Sequence, residues 1–226
     1  LDLRKTDAAG FREFCAGTDA IFCKPAGLCG GEGIRRIVTA EIDDYTALYD
    51  QLVQGGQLLI EEPIRQHPEM SRLCPDSVNT VRIVTLVTDK GAEMVYALVR
   101  MGMGGVCVDN VSSGGMYAPV NEHGQLYRPA FCDKTGKYYE RHPVTGTDIV
   151  GFQIPMFEDA LELCRTASRR VEEHLKYIGW DVAITPDGPV LVEGNNLPGY
   201  DMCQNAGHVD EGMLPRFEQL LGRPIV

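Results

Sequence analysis

Near the C-terminal end, "WDVAITPDGPVLVEGNNLPGYD" (residues 180–201) sets an Asp before a Pro186-Asp187-Gly188-Pro189 turn, and a Glu and two Asn after it. Two apolar strands around such a turn read as a hairpin, in which residues equidistant from the turn face each other. With Asp187 as the centre, Asp181 lies six residues before it and Glu193 six after, so the two carboxylates are predicted neighbours. Asn195, two residues further on, points to the same face. Facing like charges are unfavourable unless a cation lies between them. Hard oxygen ligands on a rigid hairpin suit Mg²⁺, which takes one or two carboxylates together with substrate phosphates. The plain alternative is a surface hairpin with solvated acids, and the apolar strands argue against it.

Three further segments carry chemically useful residues. In "FCKPAGLCGGEGIRR", Lys24 ends a strand and precedes a loop holding Gly27, Gly30, Gly31 and Gly33. Such a loop brings backbone N–H groups close to phosphates, and a Lys neutralises their charge. It is neither a Walker A loop nor a GxGxxG turn, and a plain flexible hairpin loop explains it equally well. "LLIEEPI" is a buried strand running into Glu61, Glu62 and Pro63 before Ile64. It reads either as a backbone edge free to pair with a ligand such as a nucleobase, or as a strand running out to solvent. In "NTVRIVTLVTDKGAEMVYALVRMG" (79–102), alternation around Asp89-Lys90-Gly91 predicts an antiparallel hairpin. Arg82 and Arg100 then share one end of a sheet, near the small-residue loop at Asn110 and Gly114-Gly115. Two arginines there suit anionic oxygens, or they are ordinary rim residues.

The elements that must position these residues are mixed. Strands are predicted at 20–25, 34–42, 55–64 and around 115–120, and a helix over 44–54 with Tyr45, Leu48 and Leu52 at helical spacing. Residues 133–148 read as turn-rich surface. The clearest helix spans 155–179, with Phe157, Leu161, Cys164, Val171 and Leu175 on its buried face and Gly179 as its stop. A short helix near 211–221 closes the chain. The polar, Pro-rich stretch 65–77 separates a small lobe, residues 1–64, from a larger one, residues 65–226.

Composition sets the outer limits. With 226 residues, 44% hydrophobic and 23% charged, the chain is long enough for a sizeable core. Its net charge of −11 argues against nucleic acid as a partner. No apolar run is long enough for a membrane span, and no signal-peptide pattern is present. Eight cysteines without a CxxC pair read as reduced thiols in a cytoplasmic protein rather than a disulfide scaffold.

Taken in order, "CKP…GGEG", "LLIEEPI", "NTVR…R…NVSSGG" and "WDVAITPDGPVLVEGNNLPG" resemble the ATP-grasp superfamily over roughly residues 20–200. The wording of "SVNTVRIVT" and "DNVSSGG" is most similar to the sugar-transfer-associated branch, hence to polysaccharide biosynthesis. The resemblance implies an α+β fold in which two lobes hold nucleotide between antiparallel sheets. It implies an ADP-forming ligase that phosphorylates a carboxylate with ATP, the acyl phosphate then being attacked by an amine, thiol or other nucleophile. On that resemblance Lys24 contacts the ATP phosphates and the loop containing Gly30, Gly31 and Gly33 closes over them. Glu61, Glu62 and Ile64 line the adenine, with Glu69 on the ribose and His67 as its rival. Asp181, Glu193 and Asn195 hold one or two Mg²⁺ ions, Mn²⁺ being able to substitute, with Glu193 bridging. Arg82 and Arg100 steady the transferred phosphate beside Asn110. Asn196 has no role in this set and is the candidate for facing the unknown substrate.

The family's usual N-terminal domain, which helps bind the acceptor, is larger than residues 1–20. Either a segment precedes Leu1 or that part of the site is built differently. Lys5 is the candidate for the family's earlier, phosphate-touching Lys. Small-molecule carboxylate and amine or saccharide acceptors are the expected partners. Two rival readings keep the fold: a kinase of a saccharide hydroxyl, and a nucleotide-binding regulatory module of a polysaccharide-assembly protein.

Overall fold

A computed structural model of the protein describes residues 1–27, 33–104, 114–207, 210 and 212–225. Gly30, Gly31 and Asn110 lie outside the described residues. The chain divides into two compact units, Leu1–Ile64 and Arg65–Val226.

The first unit is a three-stranded antiparallel sheet with two helices. Strand β1 (Ala20–Lys24) lies between β2 (Arg35–Val38) and β3 (Leu59–Glu61). Alternation along β1 sends Ile21 and Cys23 into the core with Ile60, leaving Phe22 and Lys24 on the other face. Helix α1 (Ala8–Ala16) starts at Asp7, whose carboxylate caps the Gly10 N–H. Helix α2 (Tyr45–Gln54) starts at Asp44, which accepts from the N–H groups of Thr46 and Ala47. Phe11 and Leu52 close the core. The residues now in α1 carried no helix expectation, because the short segment has only Phe11 and Cys15 as a buried face.

The second unit is built on seven strands, all paired antiparallel, in the order β10-β9-β4-β5-β6-β7-β8. Their ranges are β4 Val81–Thr88, β5 Gly91–Met101, β6 Met116–Val120, β7 Ala130–Cys132, β8 Lys137–Tyr139, β9 Tyr177–Thr185 and β10 Gly188–Asn196. The short helix α3 (Pro68–Ser71) precedes β4, and α4 (Phe157–Ser168) precedes β9. Helices α5 (Asp201–Gly207) and α6 (Leu214–Leu221) follow β10. One sheet face carries Ile83, Val99, Trp180 and Val182 and packs with Phe157, Leu161 and Cys164 of α4. The other carries Val84, Tyr96, Leu98, Tyr117 and Tyr177, with Cys203 and Met213 packed in the same cluster. Charged residues take the rest of this second face. The six described cysteines are free and buried, and among the described residues no helix is long and apolar enough to cross a membrane.

Three expectations change. The helix read over 155–179 ends at Ser168, whose hydroxyl bonds back to Cys164 O at 2.8 Å and also meets Thr85 and Trp180. Tertiary demand overrides propensity here, because Tyr177 and Ile178 pair with Leu86 and Thr85 as part of β9. Gly179 is consequently an interior strand residue and not a helix stop. The stretch read as turn-rich surface supplies β8, which with β7 extends the sheet edge.

Candidate active site

Four adjacent strands bring Arg82 (β4), Arg100 (β5), Asp181 (β9), and Glu193 with Asn195 (β10) onto one face of the large sheet. Arg82 stands opposite Asp181, and Asp181 opposite Glu193. Two β-bulges produce this alignment. The turn of the β9–β10 hairpin has two residues, with Gly188 opposite Thr185. A plain ladder continued from there would set Asp181 against Val192. The register shifts by one at Val192, and Glu193 meets Asp181 instead. The neighbourhood predicted from the sequence is present, although the assumed centre at Asp187 is not its cause. On β5 the register shifts at Val95, so that Tyr96 faces Val84 while Met94 faces Thr85. Were the ladder continued from the turn without that shift, Arg100 would fall on the α4 face, away from Arg82.

Asp181 is 2% exposed, Arg82 8% and Arg100 7%, so this is a buried ionic cluster. Arg82 grips the carboxylate with two parallel bonds, Nε to Oδ1 and Nη2 to Oδ2, the second at 2.8 Å. Arg100 donates from Nη1 to the same Oδ2 at 2.8 Å. Burial works against the Asp181 charge, but the Arg82 hydrogen bonds and both guanidinium charges outweigh it and hold the carboxyl below the usual range. Burial likewise opposes the Arg82 charge, and Asp181 reverses that and raises its pKa. Glu193 is exposed and behaves differently. Partial desolvation and the neighbouring Asp181 push its carboxyl up, so a proton is held more readily there. Asn195 turns its amide nitrogen to Glu193 Oε1 (3.2 Å) and Gly179 O (3.4 Å).

Three supporting residues carried no such role in the sequence reading. Gly179 leaves room for Arg82: a Cβ there would stand 3.2 Å from Arg82 Cδ and 3.0 Å from Pro198 Cβ. Asn79, fully buried, donates to Met70 O, Cys74 O and Gln66 Oε1, and so anchors the chain just before β4. Tyr96 donates its hydroxyl to Gly199 O at 3.1 Å, fixing the exit from β10. A glycine or amide inside an apolar run is the signal that points to the first two. Asn196, next in the strand after Asn195, alternates to the opposite face from the cluster.

In the first unit, Lys24 is ion-paired with Glu61 on the outward face of the three-stranded sheet. Gly33 takes a left-handed φ of 74°, and its carbonyl accepts from Gln57 Nε2 at 2.8 Å. Glu62 is exposed and Ile64 half-buried at the end of this unit. Glu69 in the second unit pairs with Arg72 at 2.7 Å, and His67 caps α3 by accepting from the Glu69 N–H. Neither belongs to the arginine cluster.

Hard oxygens are the test for a divalent cation at the cluster. Glu193 offers an exposed carboxylate, and Asn195, whose amide nitrogen turns to it, has a carbonyl oxygen that would serve as a second ligand. Asp181 has such oxygens too, but it is buried and both already accept from arginine. Among the described residues, no group of three or more His, Cys, Asp or Glu side chains is placed to hold a metal.

No curated protein matches the chain. Among solved structures, D-alanyl-alanine synthetase A from Vibrio cholerae O1 biovar eltor str. N16961 is similar at 13% identity and a TM-score of 0.48. The match covers 96% of this chain and 52% of that one, so the chain spans about half of that protein's length. The family described as sugar-transfer associated ATP-grasp matches residues 35–220. That span leaves Lys24 and Gly33 upstream and takes in all five residues of the sheet-face cluster. A match over so much of the sequence settles kinship: the chain belongs to the sugar-transfer associated ATP-grasp family.

Proposed function

We propose that the protein is an ATP-dependent ligase that activates a carboxylate as an acyl phosphate and joins it to a nucleophile, releasing ADP and phosphate. The observation that carries this reading, within the family, is the convergence of Arg82, Arg100, Glu193 and Asn195 on one sheet face. Phosphoryl transfer needs little covalent help from a protein. Positioning and charge neutralisation supply most of the acceleration.

In this reading the substrate carboxylate oxygen attacks the γ-phosphorus and the bond to the ADP oxygen breaks. An amine nitrogen then attacks the acyl carbon, phosphate leaves with the C–O electron pair, and the amine proton passes to solvent. Arg82 and Arg100 lie where fixed positive charge can oppose the charge on the transferred phosphoryl oxygens. Glu193 and Asn195 would hold Mg²⁺, which when bound neutralises phosphate charge and orients the nucleotide. Lys24 and Gly33 are the first unit's candidates for phosphate contact, and Glu61, Glu62 and Ile64 its candidates for the base.

The family's description, sugar-transfer associated, favours a saccharide or a saccharide-bound group among the acceptors. It also supports a second reading, phosphorylation of a saccharide hydroxyl. Hydroxylamine distinguishes the two. With ATP, Mg²⁺ and a pool of carboxylates, the ligase reading expects hydroxamate in proportion to ADP. ADP with a stable phosphate ester and no hydroxamate would establish the kinase instead. Removing either arginine by Met is expected to lower turnover by about 10²–10³ fold, measured as ADP release.

A further inference from the structure

The family pattern makes Asp181 a cation ligand, yet its surroundings are those of an arginine anchor. Its side chain is buried, and both oxygens accept from arginine. Oδ1 accepts from Arg82 Nε, and Oδ2 accepts from Arg82 Nη2 and Arg100 Nη1, both at 2.8 Å. A bidentate guanidinium–carboxylate pair is geometrically demanding and carries charge-assisted bonds. To ligate a cation in place of these bonds, Asp181 would have to loosen its bidentate grip on the buried Arg82 guanidinium. Glu193 faces the opposite situation, exposed on the outer strand and beside Asn195. The charges agree with this division. Asp181 lies between the two arginines, while the exposed carboxylate, Glu193, is on β10.

We propose that Asp181 is a positioning residue that holds Arg82 and Arg100 in place, and that a divalent cation is taken by Glu193 and Asn195 without it. This rests on the Mg²⁺–ATP reading of the site. Supporting features belong to the same arrangement. Gly179 clears the path of the Arg82 stem, and the bulge at Val95 turns Arg100 toward Asp181.

The test is Mn²⁺ titration of the full chain by electron paramagnetic resonance, with and without a non-hydrolysable ATP analogue, folding being monitored by circular dichroism. Glu193→Gln is expected to weaken Mn²⁺ binding at least tenfold. Asp181→Asn is expected to change it less than threefold while weakening the ATP analogue. Should Asp181→Asn not fold, Arg82→Met carries the test, because freeing an Asp181 oxygen is expected to tighten Mn²⁺ binding. Equal losses in Asp181→Asn and Glu193→Gln, or weaker Mn²⁺ binding in Arg82→Met, would overturn the inference alone. Absence of Mn²⁺ binding by the parent protein, even with the analogue, overturns both it and the Mg²⁺–ATP reading. Absence of analogue binding with the Mn²⁺ pattern intact overturns only the nucleotide reading.

Discussion

Asp181 and Glu193 are neighbours that pull stability in opposite directions with pH. The folded pKa of Asp181 is lowered from 3.8, so its contribution is present above that value and is lost as pH falls through the folded pKa. The folded pKa of Glu193 is raised from 4.5, so its contribution is present at low pH and is lost as pH rises through that value. Ionised Glu193 therefore destabilises the cation-free protein at neutral pH. Glu193→Gln is expected to melt at a higher temperature than the parent at pH 7 in EDTA, with the difference vanishing near pH 4, by differential scanning calorimetry. Removing Asp181 would take the bidentate counter-charge from the buried Arg82 guanidinium, and breaking such a buried pair costs about 3–5 kcal/mol. Gly179→Ala places a methyl against Arg82 Cδ and Pro198 Cβ. The expected outcome is a loss of about 1–3 kcal/mol in urea unfolding together with weaker binding of the ATP analogue.

At the level of elements, the two bulges decide which side chains share a face. Deleting Val192 removes the bulge and continues the plain register with Glu193 still opposite Asp181, so Glu193 and Asn195 keep their face. Mn²⁺ binding is expected to survive the deletion, and the circular dichroism spectrum to stay that of a mixed α+β protein. A neighbouring position tests packing and not register. Gly194 lies opposite Trp180, and a Cβ there would stand 2.8 Å from the indole ring. That ring cannot easily yield, since its Nε1–H donates to Thr85 (3.0 Å) and Ser168 (3.1 Å). Gly194→Ala is expected to destabilise the protein by about 1–3 kcal/mol, read as a lower urea midpoint. Leu197, next beyond Asn196, has a left-handed φ of 51°, unusual for a leucine and placed where the chain leaves the site.

For the molecule as a whole, the two units differ in how much each can bury. The second covers both faces of a seven-stranded sheet, with one cluster around α4 and another beside α5 and α6. The first has one small core beneath three strands, and a domain of that size is marginal. Residues 65–226 alone are expected to fold cooperatively and to bind Mn²⁺ as the full chain does. Residues 1–64 alone are expected to melt at a lower temperature, as followed by circular dichroism. The net charge of −11 does not describe the site, where two buried arginines stand against Asp181.

Much of this was legible in the chain itself. Alternating apolar residues and the Asp89-Lys90-Gly91 turn announce the β4–β5 hairpin, and the helical spacing of Tyr45, Leu48 and Leu52 announces α2. Short-range chemistry determines those features, because propensities, caps and turn residues act within a few positions. The sequence also determined which residues have useful chemistry: Arg82, Arg100, Asp181, Glu193 and Asn195 are all visible as charged or amide residues in apolar strands. Their partnerships were not visible. Asp181 is bound by arginines 99 and 81 residues away, and the bulges at Val95 and Val192 leave no local mark. Only tertiary packing chose those registers, because a one-residue slip exchanges the two faces of a strand. Which face must be buried is decided by helices distant in the chain. The same packing cut the long helical pattern short at Ser168, so that Tyr177 and Ile178 could pair with β4.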